Sequence, residues 1–248
     1  MVKTQIEEIR QRVTDLLVDR HVLHQQTAFD RRAPRTLAQR FDHTLLKVEA
    51  RREDYQKLFK EAAEYGCYSV CVPPRVVAQA VRTLTASGVR VCTVIGFPAG
   101  YATTAGKVKE ALQCREWGAH EFDMVLPIGE LKDGDMVSVY EDVRAVVGAV
   151  EGAIVKVILE TCYLTDEEKV AAGASALCAG AAFLKTSTGF GTGGATIADV
   201  KLLRALAGDQ AGVKAAGGIR DRSTAEAFVA AGADRIGSSS TVGILTGR

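Results

Sequence analysis

Histidine is scarce in this chain: four occur among 248 residues. His21 and His24 can share a helix face, but no carboxylate or cysteine spacing completes a ligand set, so no metal site is expected and they read as a plain surface helix. The six cysteines (67, 71, 92, 114, 162, 178) include no CxxC pair and sit in apolar contexts, which reads as reduced, buried thiols of a cytosolic protein. Charge of one sign is not in excess. Lys and Arg number 31 against 30 Asp and Glu, for a net charge of +1, which gives no reason to expect nucleic acid or an anionic membrane as a partner. No apolar run approaches the ~20 residues that span a bilayer, and the opening MVKTQIEEIRQR lacks the apolar core of a signal peptide. A cytoplasmic location is expected. No GxGxxG follows the first strand-like run, which counts against an open dinucleotide-binding sheet.

What is present is a regular alternation. Residues 1–35 read as an N-terminal helical extension and linker. Thr4 and Glu7 suggest a capping box, and Ile6, Ile9, Val13, Leu16 and Leu17 follow a helical stripe. The helix is expected to end near His21, with AFDRRAPRT as a polar linker. The stripe is expected to dock on the chain's own domain, with cover over a barrel end or a subunit contact as alternatives. Residues 36–248 read as the catalytic domain. Strand-like runs begin near Phe41, Tyr68, Arg90, Glu121, Ile154, Phe183, Gly212 and Asp234. Helical patterns lie between them, over Arg52–Tyr65, Arg75–Ser87, Thr103–Trp117, Asp135–Val150, Thr165–Ala179, Thr196–Ala207 and Ser223–Ala231, with a short turn at Thr241–Leu245. Eight strand–helix units in about 250 residues predict a (β/α)8 barrel, with a doubly wound sheet as the runner-up.

Charged residues interrupt four of the strands, EFDMVLP, IVKVILE, FLKTSTG and GVKAAGG. Alternate strand side chains share a face. If Phe122, Met124, Val155, Val157 and their like pack against helices, then Asp123, Lys156, Lys185 and Lys214 face the barrel interior. Charges are almost never placed there without a role or a partner. A lysine amine is a nucleophile only when neutral, and at a reference pKa of ~10.4 only about one in a few thousand is neutral at pH 7. Burial and a neighbouring ammonium both disfavour the charged form, so Lys185 and Lys214, on successive strands, are expected to depress each other. A neutral lysine adds to a carbonyl and loses water to give a protonated imine, which allows a neighbouring C–C or C–H bond to break. Asp123 can shuttle the protons that this requires. The competing structural reading is a buried Asp123–Lys156 pair that only fills the barrel. Parity and spacing leave the nucleophile open among Lys156, Lys185 and Lys214.

Three glycine-rich turns, TSTGFGTGGAT, GGIRDRSTAE and GSSS, follow strands six, seven and eight. Backbone N–H groups free of side chains, with serine hydroxyls, suit an anion, and the loops after strands 7–8 are the usual phosphate site of barrels. Arg220 adds charge there or pairs with Asp221. Asp42 and His43 end the first strand on one barrel face or its rim. Asp42 orients a substrate hydroxyl, tethers a lysine or caps a helix, and His43 reads as a packed histidine. Cys71 reads as a buried thiol.

In order along residues 41–240, FDHTLLK, SVCVPP, TVIGFPAG, EFDMVLPIG, VKVILETCYLTDEEK, LKTSTGFGTGGAT, VKAAGGIR and RIGSSS resemble the deoxyribose-phosphate aldolase family. These are metal-independent class I aldolases on a (β/α)8 barrel. The resemblance implies reversible cleavage of 2-deoxy-D-ribose 5-phosphate to glyceraldehyde 3-phosphate and acetaldehyde, with no metal or organic cofactor. It implies Lys185 as the imine-forming lysine, Lys214 as the lysine that lowers its pKa and relays protons, and Asp123 as the relay aspartate. Gly189, Gly217, Gly218, Ser238 and Ser239 match phosphate-loop positions. Asp42, Lys156 and Thr188 are supporting candidates. The chain departs from many members at Pro73 and Pro127, where they carry asparagine, which puts substrate preference in question. The implied partners are small phosphosugars and aldehydes, and homo-oligomerisation is left open. The alternatives are a class I aldolase for another sugar phosphate or 2-keto acid, a non-catalytic sugar-phosphate-binding barrel, and a barrel isomerase using only a carboxylate base.

Overall fold

The structure, a computed structural model, describes residues 1, 3–17 and 36–247. Short apolar runs become eight parallel strands: β1 (Phe41–Thr44), β2 (Ser69–Val72), β3 (Arg90–Ile95), β4 (Glu121–Val125), β5 (Ile154–Ile158), β6 (Phe183–Lys185), β7 (Gly212–Ala216) and β8 (Arg235–Ser238). Each pairs with the next, and β8 pairs back to β1, so the sheet closes without an edge. Strands covered on both faces read as near-continuous apolar runs, and every residue of β4, β5 and β7 is buried.

Ten helices are described: α1 (Lys3–Leu17), α2 (Arg52–Glu64), α3 (Val77–Leu84), α4 (Thr104–Glu116), α5 (Ile128–Lys132), α6 (Met136–Ala149), α7 (Asp166–Cys178), α8 (Ile197–Ala207), α9 (Arg222–Ala230) and α10 (Thr241–Thr246). Their starts are written in the sequence. Thr103, Asp135, Thr165, Thr196 and Asp221 each accept an N–H from the first turn, and Glu168 completes a capping box with Thr165. Such a cap contributes about 1 kcal/mol. The expected strands and helices agree with those observed to within a residue or two, except that α3 ends at Leu84, three residues short of the expected Ser87, and is preceded by a 3-10 turn (Pro74–Val76). The short α5, not expected, begins where Pro127 fixes the backbone after β4.

Thr4 lies inside α1, not at its cap, since the helix already runs from Lys3. Ile6, Val13 and Leu17 are buried while Leu16 is exposed, and α1 lies chiefly against α7, with α8 beside it. The stripe therefore docks on the outer helical layer of its own domain and does not plug a barrel end. The expected helix end near His21, the linker through Arg35 and the His21–His24 pair lie outside the described residues.

The outward strand faces, with Phe122, Met124, Val155, Val157, Leu184, Val213 and Ile236, join one large core with the helices. The interior is different. Among the described residues it holds two small apolar clusters: Ile154, Ala182 and Phe183 at the strand starts, and Cys71, Cys92 and Val94 with Leu46 and Phe97 towards the strand ends. A charged layer lies between them.

Candidate active site

Register brings the charges together. Asp123 is the Cα partner of Lys156 across β4–β5, and Lys185 that of Lys214 across β6–β7. Asp123 accepts from all three lysines: Lys156 at 2.8 Å on Oδ1, Lys185 at 2.8 Å and Lys214 at 2.6 Å on Oδ2. Lys214 also donates to Asp42 at 2.5 Å. Lys156 meets Glu121 at 2.6 Å and Cys92 Sγ at 3.2 Å. Beneath them Arg235 bonds Asp42 at 2.6 Å and Glu121 at 3.2 Å, and its guanidinium lies 3.5 Å from the centroid of the Tyr68 ring. The layer thus holds four cations (Lys156, Lys185, Lys214, Arg235) against three carboxylates (Asp42, Glu121, Asp123).

Burial opposes the charged form of Lys214, but the Asp123 and Asp42 carboxylates outweigh it and hold the ammonium above the usual lysine range. Lys156 is raised for the same reason, chiefly by Asp123 against burial. The expectation that Lys214 is depressed does not hold, because the Asp123 and Asp42 carboxylates both lie at hydrogen-bond distance from its ammonium. Burial likewise opposes the charged form of Asp123, yet Lys156, Lys185 and Lys214 together hold its carboxyl well below the ordinary range. Arg235, then Lys214, do the same for Asp42 against burial. The sulfurs of Cys71 and Cys92 and a carboxylate oxygen of Asp123 lie within 4.8 Å of one another. The Lys156 ammonium already donates to two of these groups, Cys92 Sγ and Asp123 Oδ1.

Above the layer opens a cavity of about 250 Å³ at the C-terminal strand ends, and Lys185 is the lysine of the cluster that lines it. Lys156 and Lys214 are fully buried. The walls include Thr188, Gly189, Gly217, Gly218, Ser238 and Ser239, with Lys47 and Arg220. The loops after β6 and β7 interlock. A Cβ on Gly194 would lie 2.4 Å from the Gly217 carbonyl oxygen, so only glycine allows the approach. Ser238 donates its hydroxyl to the Ile219 carbonyl at 2.7 Å, which ties the β7 loop to β8.

All the expected charges therefore meet in one layer, and the expected phosphate positions line one cavity. Asp42 is inside, tethering Lys214 and accepting from Ser69 at 2.8 Å. His43, its neighbour, points the other way and meets Glu61 of α2 at 3.0 Å, so the two do not share a face. Asp221 is taken up by the cap of α9, which leaves Arg220 to the cavity. Pro73 and Pro127 do not line the cavity. The sequence reading did not single out Arg235, Cys92, Lys47 or Glu160. Strand parity carried the signal for Arg235, which shares a face with Gly237, and for Glu160, which shares one with Lys156.

A closed eight-stranded barrel with a buried lysine–aspartate cluster beneath a cavity at its C-terminal strand ends is the architecture of barrel aldolases. Comparison narrows this. Residues 14–248 match the family described as DeoC/LacD family aldolase, and the chain belongs to that family. It is 52% identical over 213 residues to the deoxyribose-phosphate aldolase of Aciduliprofundum boonei, covering 85% of this chain and 96% of the relative. It is 53% identical over 206 residues to that of Streptococcus pneumoniae serotype 19F, covering 83% and 94%. Among solved structures, the tetrameric deoxyribose phosphate aldolase of Aeropyrum pernix superposes with a TM-score of 0.80 at 36% identity, over 97% of this chain and 96% of that one.

Proposed function

We propose that the protein cleaves 2-deoxy-D-ribose 5-phosphate reversibly to D-glyceraldehyde 3-phosphate and acetaldehyde through an imine on Lys185. The observation that carries this reading is the position of Lys185. Its amine meets the cavity and at the same time Asp123, the carboxylate that also holds Lys156 and Lys214. Relatives of this name at 52–53% identity over nearly their whole length support the substrate.

The reaction needs a neutral amine, and of the three clustered lysines Lys185 is the one that meets the cavity. The neutral Lys185 amine attacks C1 of the open-chain sugar, and loss of water gives the protonated imine. Removal of the C3 hydroxyl proton then breaks the C2–C3 bond. The electron pair moves into the imine to give an enamine, and glyceraldehyde 3-phosphate leaves. Protonation of the enamine carbon and hydrolysis release acetaldehyde and restore the amine. Asp123 and Lys214 relay these protons, Asp42 holds Lys214, and Lys156 balances the charge of Asp123. Gly189, Gly217, Gly218, Ser238 and Ser239 take the phosphate, with Lys47 and Arg220 adding positive charge. Binding remote from the reacting bond fixes the sugar for attack.

Reductive trapping tests this. The protein is incubated with acetaldehyde and borohydride, and the adduct is mapped by peptide mass spectrometry. An ethyl group on Lys185 is expected. An adduct on Lys156 or Lys214 would keep the imine chemistry and overturn the assignment, and no adduct in folded protein would leave a sugar-phosphate-binding barrel.

A further inference from the structure

Glu160, the residue two beyond β5, is the one non-glycine residue with positive φ among the described residues (φ 56°, ψ 60°). L-residues rarely adopt this conformation, and it persists only where surrounding contacts over-determine it. Here they do. The side chain is buried, and its carboxylate accepts the backbone N–H of Thr188 on both oxygens, at 3.1 and 3.3 Å, and the Thr188 hydroxyl as well. Thr188 Oγ1 in turn accepts the N–H of Phe190 at 3.0 Å. The one proton of that hydroxyl is therefore committed to Glu160 and does not reach a ligand in the cavity.

The rest of the loop is laid against the same place. A Cβ on Gly191 would come within 3.2 Å of the Glu160 carboxylate carbon and 3.0 Å of Cys162 Sγ, and one on Gly193 within 3.1 Å of Cys162 Cβ. Gly194 closes the far end against Gly217. Residues 188–194 are thus pinned on one side by Glu160 and on the other by the β7 loop. A carboxylate this close to an anion site opposes anion binding by its charge, so what favours it here is geometric.

We infer that Glu160 is a positioning residue that fastens the β6 loop through Thr188 and so sets the preference for phosphorylated over unphosphorylated sugars. The inference rests on the reading that this loop takes the substrate phosphate, and it deepens that reading. A loop held in its binding shape before the ligand arrives has less to lose on binding. Release of the fastener weakens the phosphate contact, while Lys185 stays fixed on its strand.

The test compares kcat/KM for 2-deoxyribose 5-phosphate and for 2-deoxyribose in the wild type, Glu160→Gly, Thr188→Val and the double variant. Glycine takes up the backbone conformation without strain and removes the carboxylate. The ratio of the two kcat/KM values is expected to fall about tenfold in each single variant, mostly through KM for the phosphorylated sugar. The double variant should be close to Glu160→Gly alone, because the hydroxyl bond that Thr188→Val removes is one of those that Glu160→Gly removes. The inhibition constant of inorganic phosphate should rise in proportion. Equal loss for both sugars, or an unchanged ratio, would overturn the inference. Should Glu160→Gly fail to fold, Thr188→Val alone decides it by the same criteria. Should the wild type turn over neither sugar, the proposed function fails separately. Calorimetric binding of inorganic phosphate then decides the loop's role: weaker binding in the variants supports it, and equal binding overturns it.

Discussion

Two buried lysines in this molecule make similar contacts in dissimilar surroundings. Lys107, on α4, is fully buried. It donates to Asp142 of α6 at 2.6 Å and to the Val125 carbonyl at 3.0 Å. The other oxygen of Asp142 accepts the Thr104 hydroxyl at 2.7 Å. One cation meets one carboxylate, and the pair ties two helices to the end of β4. Lys185 meets its carboxylate at 2.8 Å, a length that alone would not distinguish it from Lys107. What differs is that Asp123 is shared among three ammonium groups, that the layer holds a surplus cation, and that Lys185 lines a cavity. Burial of a charge therefore does not mark a site by itself. A shared counter-ion and an open face do.

The largest expected effect breaks that comparison directly. Lys185→Met should lower kcat for 2-deoxyribose 5-phosphate by about 10⁴-fold or more, since the covalent step is lost, with the chain still folded by circular dichroism. Lys107→Met should do the reverse. It leaves Asp142 buried without its cation, a loss of about 3–5 kcal/mol in stability, read as a lower urea midpoint, with turnover per folded molecule within a few-fold of wild type. If folded Lys107→Met protein were inactive, the division between tie and site would be wrong. A second pair sharpens it. Asp123→Asn should cost about 10²–10⁴-fold in kcat through loss of proton transfer and also destabilise the layer by removing its shared counter-ion. Asp142→Asn should affect the urea midpoint and leave kcat nearly unchanged.

The same contrast explains what could be read from the chain. The barrel was legible because strand and helix periods alternate eight times and the helix starts carry explicit caps. The inward direction of Asp123, Lys156, Lys185 and Lys214 was legible because parity needs no tertiary information. Parity applied as readily to Arg235 and Glu160, but a charge at a strand's first residue, or just past its end, reads as an ordinary boundary. Lys107 shares the buried helix face of Ala111 and Cys114, yet a lysine on a helix reads as solvated until its neighbours are known. Register and depth were not legible. Which lysine meets the cavity follows from the closure of the sheet and the height of β6 in it. The carboxylates around Lys214 come from strands distant in sequence, so an argument from burial and a neighbouring ammonium gave the opposite direction for its shift.

The smallest expected effect concerns pH, and it separates the paired layer from the rest of the protein. Lys156 and Lys214 are raised in the fold, so the stability they contribute is fully present below the ordinary lysine value of ~10.4 and lost only as pH rises through their folded values. Asp42 and Asp123 are lowered, so theirs is present above ~3.9 and lost as pH falls through their folded values. These four groups should therefore contribute no slope between about pH 5.5 and 7.5. His43 should. Burial holds its imidazole below the usual value, although Glu61 acts the other way, and burial lowers His120 as well. Each favours the fold above ~6.5 and loses that contribution as pH falls through its folded value, at about 1.4 kcal/mol per unit of difference. Urea midpoints at pH 7.5 and 5.5 should converge when His43 and His120 are both replaced by glutamine. An unchanged difference would place the titrating groups elsewhere in the protein.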